Sequence, residues 1–179
     1  MVQKEKNVSP MSNEERNRYV VTHITKSLFD LLEIKSFESI SISEICANAE
    51  VGRMSFYRNF ESKEDIIRKH LKKMLDKWFN QYTGEGAYQL IESIFDHYYK
   101  NKDLCILLYN RGLAHLSLES IKNAFGPKPE QSNIQAYTTS YFAYGLYGWL
   151  EEWFKRGMQE NAQQMAKMWM EEQTKSNQN

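Results

Sequence analysis

SISEICANAEVGRMSFYRNF, residues 41–60, decides the fold. It reads as a short helix, a tight turn and a second short helix. Ser41 and Glu44 have the spacing of a capping box, in which each side chain satisfies a backbone N–H at a helix start. Ile42, Ile45, Cys46 and Ala49 recur at helical spacing and mark one buried stripe. Glu50-Val51-Gly52 interrupts that pattern, and Gly52 is the residue expected to take the turn's dihedrals. The second helix starts near Arg53 and buries Phe56 and Phe60. It turns Arg53, Met54, Ser55, Tyr57, Arg58 and Asn59 outward. A short helix with that outer face suits the major groove of DNA.

Working outward, Met1 to Ser12 is polar, carries Pro10 and reads as an arm. Asn13 to Ile34 forms the first helix, with Val20, Ile24, Leu28, Leu31 and Leu32 as its apolar stripe. Phe37, in the loop that follows, plugs a three-helix core. Ser62 caps a fourth helix whose inner face runs through Ile66, Ile67, His70, Leu71, Met74, Trp78 and Tyr82. Thr83-Gly84-Glu85-Gly86 ends it.

Val51-Gly52-Arg53-Met54-Ser55-Phe56-Tyr57-Arg58-Asn59-Phe60, followed by Glu61-Ser62-Lys63-Glu64-Asp65, resembles the tetracycline-repressor (TetR/AcrR) regulators over Glu14 to Leu71. Tyr57 and Phe60, followed at fixed spacing by Ser62-Lys63-Glu64, carry the match. The sequence departs from the family pattern at Gly52 for a serine, Met54 for a small residue and Asn59 for a histidine. The resemblance implies a helix-turn-helix head on a helical, ligand-sensing, dimerising body.

Among the outward residues, Arg53 is the first candidate for a base edge, because guanidinium pairs bidentately with guanine. Met54 suits a thymine methyl, and Ser43 is a further candidate. Ser55, Tyr57 and Asn59 offer short donors of the kind that bind phosphate and set register. Arg58 serves either role, and Lys63 is expected to bind phosphate beside a helix N-terminus.

The formal charge of the 179-residue chain is zero, so there is no general pull toward nucleic acid. Charge is instead local. Residues 53–77 hold eight basic and four acidic residues, a net +4, whereas residues 83–179 hold nine basic and eleven acidic, a net −2. A basic helix pair on a neutral protein fits a small DNA footprint. Cys46 and Cys105 have no partner at metal or redox spacing and read as buried, reduced hydrophobes. Met1 to Pro10 is no signal peptide, and no apolar run approaches the roughly 20 residues that span a bilayer. A cytoplasmic protein without a membrane partner is expected.

The rest reads as helices over Tyr88–Tyr99, Asp103–Arg111, Leu113–Phe125, Gln131–Gly157 and Asn161–Glu172, broken most clearly at Gly126-Pro127-Lys128-Pro129. The fold class is therefore all-α, about nine helices: a helix-turn-helix domain over residues 1–61 and a helical regulatory and dimerisation domain over 62–179, with 62–82 as the connecting helix. The helix over Gln131–Gly157 is apolar nearly all round. Tyr137, Tyr141, Tyr144 and Gly148 share one face; Phe142, Leu146, Trp149, Leu150 and Trp153 share the other. Such a helix needs cover on every side; a second subunit is the economical source, and the alternative is a central core helix in a monomer. The expected dimer surface is Gly145, Gly148, Trp149, Glu152 and Trp153, extended by Met165, Met168 and Trp169. Family resemblance points the same way, to a four-helix interface made by the last two helices. It also implies an inducer cavity, for which Trp78, Tyr82, Phe95, Tyr98, Tyr99, Leu108, His115, Tyr137 and Tyr141 are the candidate lining.

Catalytic constellations are missing: no Gly-rich phosphate loop, no G-x-S-x-G and no H-E-x-x-H. His23, His70, His97 and His115 are scattered, and neither Asp96-His97 nor Glu151-Glu152 converges on one helix face. The reading is a transcriptional regulator, not an enzyme, with no cofactor and no metal. It is expected to be a homodimeric repressor on a palindromic operator, since two heads of a C2 dimer read a palindrome, released by a small-molecule effector. The alternatives are control of the body by a protein partner, or an interaction protein that does not read a specific sequence.

Overall fold

The computed structural model describes residues 12–176, which form nine α-helices and no strand. In chain order these are α1 (Asn13–Ile34), α2 (Ile42–Asn48), α3 (Arg53–Asn59), α4 (Lys63–Gln81), α5 (Ala87–Lys100), α6 (Lys102–Asn110), α7 (His115–Phe125), α8 (Asn133–Lys155) and α9 (Ala162–Ser176). The chain divides into two compact units between Ile66 and Ile67, so the boundary falls inside α4. No described helix is long and apolar enough to cross a membrane.

In the first unit α1, α2 and α3 pack on one another. Ile24, Leu28, Leu32, Phe37, Ile40, Ile45, Phe56 and Phe60 are buried and form its core. The expected N-terminal arm lies outside the described residues except for Ser12, which has a definite role. Its Oγ accepts from the Glu15 N–H at 3.2 Å, while the Glu15 carboxylate accepts from the Ser12 N–H at 2.7 Å. The box expected at α2 is only half made. Ser41 Oγ accepts from the Glu44 N–H at 3.1 Å, but the Glu44 carboxylate takes the Lys35 ammonium, which holds it below the usual carboxylate range.

The turn between α2 and α3 also differs from expectation. Glu50, not Gly52, takes the left-handed conformation, with φ +54°. Gly52 is the extended N-cap of α3, φ −72° and ψ 147°, and a Cβ there meets nothing within 4 Å. Glycine at this position is not demanded by the turn.

Ser62 caps α4 as expected, its Oγ accepting from the Asp65 N–H at 3.2 Å. In the second unit α5 packs on α9, and α7 and α6 on α8. Leu75, which the reading of α4 passed over, joins a core of Ile91, Phe95, Ile121, Leu146, Leu150 and Phe154. Aromatic rings meet edge to face in its centre: Phe95 lies 5.6 Å from Trp153 and 6.3 Å from Trp169. This geometry suits opposed ring quadrupoles. Gly157 and Met158 turn the chain from α8 to α9 through positive φ, and Lys102 Nζ fixes that turn by donating to the Met158 carbonyl at 3.0 Å. Cys46 and Cys105 are both buried and free; burial pushes the Cys105 thiol up to about 12.

His97 makes the second unit acid-sensitive. Burial, with Lys100 nearby, lowers its pKa from 6.5 to about 4 against the opposing pull of Asp96. The unfolded chain therefore binds the proton that the folded chain refuses between those two values. Stability rises with pH across that window and is lost as pH falls from about 6.5 toward 4. Allowing for partial solvent access, the loss is about 2 kcal/mol. A thermal melt at pH 7.5 and pH 4.5 should show it, and His97→Phe should flatten that part of the profile.

Candidate nucleic-acid interface

α3 presents its outer face because its inner face is fixed by two phenylalanines. Phe56 is fully buried and Phe60, the C-cap residue, nearly so. Tyr57 and Arg58, between them, point out. Arg53, Met54, Tyr57 and Arg58 are exposed, Met54 at 77%. A long apolar side chain left that open on a polar helix has no packing role among the described residues. Arg53 and Tyr57, one turn apart, are coupled. The guanidinium donates to the tyrosine hydroxyl at 3.5 Å, with Cζ 6.0 Å from the ring centroid. This contact limits the rotamers of a long cation before any partner arrives.

Ser43, on α2, is exposed as expected. Ser55 and Asn59 are half-buried, and the Asn59 amide donates to the Ser55 carbonyl at 2.9 Å. Asn59 is thus turned back along its own helix.

Lys63 departs furthest from expectation. Its ammonium donates to the Phe37 carbonyl at 2.7 Å and the Ile40 carbonyl at 2.6 Å, and sits 4.4 Å above the Phe37 ring. It closes the end of the loop between α1 and α2 and is not extended toward a phosphate. Lys63→Met should therefore lower head stability by about 1.5–3 kcal/mol, since charge-assisted bonds to two carbonyls are lost. A chemical denaturation curve followed by far-UV circular dichroism checks this.

Sequence reasoning missed a second holding contact. Ser27, buried on the apolar stripe of α1, donates to the Ile45 carbonyl at 2.9 Å and accepts from Asn48 Nδ2 at 3.1 Å. It locks α1 against α2. The signal was visible: a serine between Ile24 and Leu28 on an otherwise apolar face needs a partner.

The expected cavity lining does not come together. Phe95 and Tyr98, on α5, are solid core, and Leu108, on α6, is buried as well. Tyr137 and Tyr141 stand on the outside of α8, and His115 is exposed. Trp78 is partly buried against the core, and its Nε1 donates to Ser93 Oγ at 2.8 Å. Tyr82 and Tyr99 line an open groove of about 600 Å³.

The expected dimer surface is corrected in part. Trp153, Met165 and Trp169 are buried in their own chain's core. Gly145 is half-buried, with the Trp169 ring 3.8 Å from where a Cβ would stand. Gly148, Glu152 and Met168 are exposed and Trp149 half-buried. These four, with Trp153, Met165, Arg156 and Glu160, line a groove of about 350 Å³. Beside it run Ile134, Tyr137, Tyr141 and Tyr144, all exposed on one side of α8.

Comparison with known proteins places both units. Residues 24–69 match the family of bacterial regulatory proteins, tetR family, and residues 85–172 match a transcriptional regulator C-terminal region. The chain is 30% identical over 135 residues to the Transposon Tn10 TetC protein of Escherichia coli, covering 64% of this chain and 68% of that one. Its fold is similar to the crystal structure of Lin0861 from Listeria innocua, with a TM-score of 0.70, 18% identity, and coverage of 93% and 95% of the two chains.

Proposed function

The chain belongs to the tetracycline-repressor family of DNA-binding transcriptional regulators, and on that premise we propose that it is a homodimeric repressor of a palindromic operator, released by a small effector held in its helical body. The observation that carries the reading is the outer face of α3. Arg53, Met54, Tyr57 and Arg58 stand exposed on a helix whose opposite face is anchored by Phe56. Arg53 reads a guanine edge and Met54 packs on a thymine methyl; Tyr57 and Arg58 hold phosphate. Ser43 and Ser55 add short polar contacts, and Asn59 supports α3 from within. Duplex DNA in the cytoplasm is the partner.

A seven-residue helix reads few base pairs, so one head binds weakly. The exposed row of Ile134, Tyr137, Tyr141 and Tyr144 supports pairing of two chains through α8, because an apolar face of that length costs free energy in water. Two heads then read half-sites about one helical turn apart.

Arg53→Ala tests the base-reading role. Measured by fluorescence anisotropy at fixed salt, it should weaken operator binding by about 1–3 kcal/mol and leave binding to scrambled DNA nearly unchanged. Equal weakening on both DNAs would make Arg53 a phosphate contact.

A further inference from the structure

The outer face of α3 consists of two columns, Arg53 with Tyr57 and Met54 with Arg58, each pair at the spacing of helical neighbours. In the first column the Arg53 guanidinium donates to the Tyr57 hydroxyl at 3.5 Å, with Cζ 6.0 Å from the ring centroid. That hydroxyl keeps its own proton to give, so Tyr57 holds a phosphate and fixes the arginine at once. Gly52, just before Arg53, has no side chain, and even a Cβ there would meet nothing within 4 Å. The first turn of α3 is therefore open to close approach by a duplex.

The second column starts with Met54, 77% exposed. Its thioether has no donor and is only a weak acceptor, so it cannot read the donor and acceptor pattern of a base edge. Apolar contact is what remains to it. The major groove has one apolar marker, the C5-methyl group of a pyrimidine. Thymine always carries that methyl. Cytosine carries it only when methylated at C5, at the same place on the ring. A flexible, polarisable side chain packs on the methyl whichever base bears it. Arg53 and Met54 are consecutive, and consecutive side chains in one helical turn reach neighbouring base pairs, which stack about 3.4 Å apart.

We propose that α3 recognises a C5-methylated pyrimidine beside a guanine, with Met54 reading the methyl, so that 5-methylcytosine substitutes for thymine in its site. Binding is then sensitive to DNA modification, because an unmodified cytosine at that position gives Met54 nothing to pack on. The proposal rests on the reading of α3 as the operator-binding helix.

The test is selection of bound duplexes by the full chain from two random libraries. One contains thymine and cytosine. In the other, uracil replaces thymine and 5-methylcytosine replaces cytosine, which moves the methyl from one pyrimidine to the other and leaves base pairing unchanged. The wild-type chain should enrich thymine at one position of each half-site from the first library, and 5-methylcytosine at the same position from the second. Met54→Ala should show no preference there and should melt close to the wild type, because Met54 is exposed. In fluorescence anisotropy, a selected thymine duplex should lose about tenfold in affinity when uracil replaces thymine, for one methyl in each half-site. Met54→Ala should bind the two forms within about twofold of each other, and Met54→Leu should keep most of the discrimination. The same base letters enriched from both libraries, or a methyl preference retained by Met54→Ala, would overturn the proposal and leave operator binding standing. No enriched site from either library would remove the operator reading, and the proposal with it.

Discussion

Replacing Phe56 with alanine is expected to cost the head about 3–5 kcal/mol, the usual range for deleting a buried phenylalanine. Its ring is fully buried and packs 5.8 Å from Phe60 and 5.4 Å, edge-on, from Tyr57. It therefore does two jobs. It fills the centre of a small core, and it sets the rotation of α3 that turns Arg53 and Met54 outward. A domain of this size has only a few kcal/mol of stability to lose. The head should unfold and specific DNA binding should vanish, while circular dichroism still reports the helices of the second unit. Phe56→Leu should retain most of both properties. Wild-type DNA affinity in Phe56→Ala would contradict this account of how α3 is held.

The second large effect is expected far from α3 in the sequence. Tyr141 is 73% exposed on α8 and makes no ring or side-chain hydrogen-bond contact among the described residues. Tyr141→Glu should leave the melting temperature of the chain nearly unchanged but place a charge in the centre of the proposed α8 interface. Dissociation to monomer, seen by light scattering at micromolar concentration, is the expected result. Binding to a two-half-site DNA should then fall by about 10²–10⁴, because the second head loses its tether. Tyr141→Phe should remain dimeric. A wild-type chain that is already monomeric would remove the basis for the interface.

These two positions illustrate what the sequence reveals directly. Phe56 and Phe60 lie four apart within a short helical pattern, and local periodicity alone places them inside. The tyrosines of α8 likewise separate by periodicity from Leu146 and Leu150 on the buried side. What periodicity does not tell is which neighbour covers a given face. Trp153, Met165 and Trp169 have the composition of an interface, yet α9 packs on α5, with the Trp153 and Trp169 rings against Phe95, and buries them within one chain. The scattered cavity residues failed for the same reason: Phe95 and Tyr141 are both aromatic, and only tertiary packing puts one in the core and the other in water.

Lys63 was beyond local rules altogether. Its partners, the carbonyls of Phe37 and Ile40, lie 26 and 23 residues away in sequence. Nothing in the Ser62-Lys63-Glu64 run signals them. Two other differences were legible in principle. Ser12 and Glu15 have the same spacing that was read at Ser41 and Glu44, and it is the former pair that forms the complete capping box. The left-handed residue of the turn is Glu50, not the glycine two positions later, because α2 is capped by bonds from the Glu50 N–H to the Ala47 carbonyl at 3.2 Å and from the Val51 N–H to the Cys46 carbonyl at 3.0 Å, a closure that puts the residue after the helix in the left-handed region.

The measurement that bears most directly on the central claim is equilibrium binding of the wild-type chain to the duplex flanking its own gene, against a scrambled duplex of equal length and composition, across a salt series. The account predicts binding at least about 10³-fold tighter to the native duplex at physiological salt, and a steep loss with rising salt on both. Equal affinity for the two duplexes at every salt concentration would contradict it.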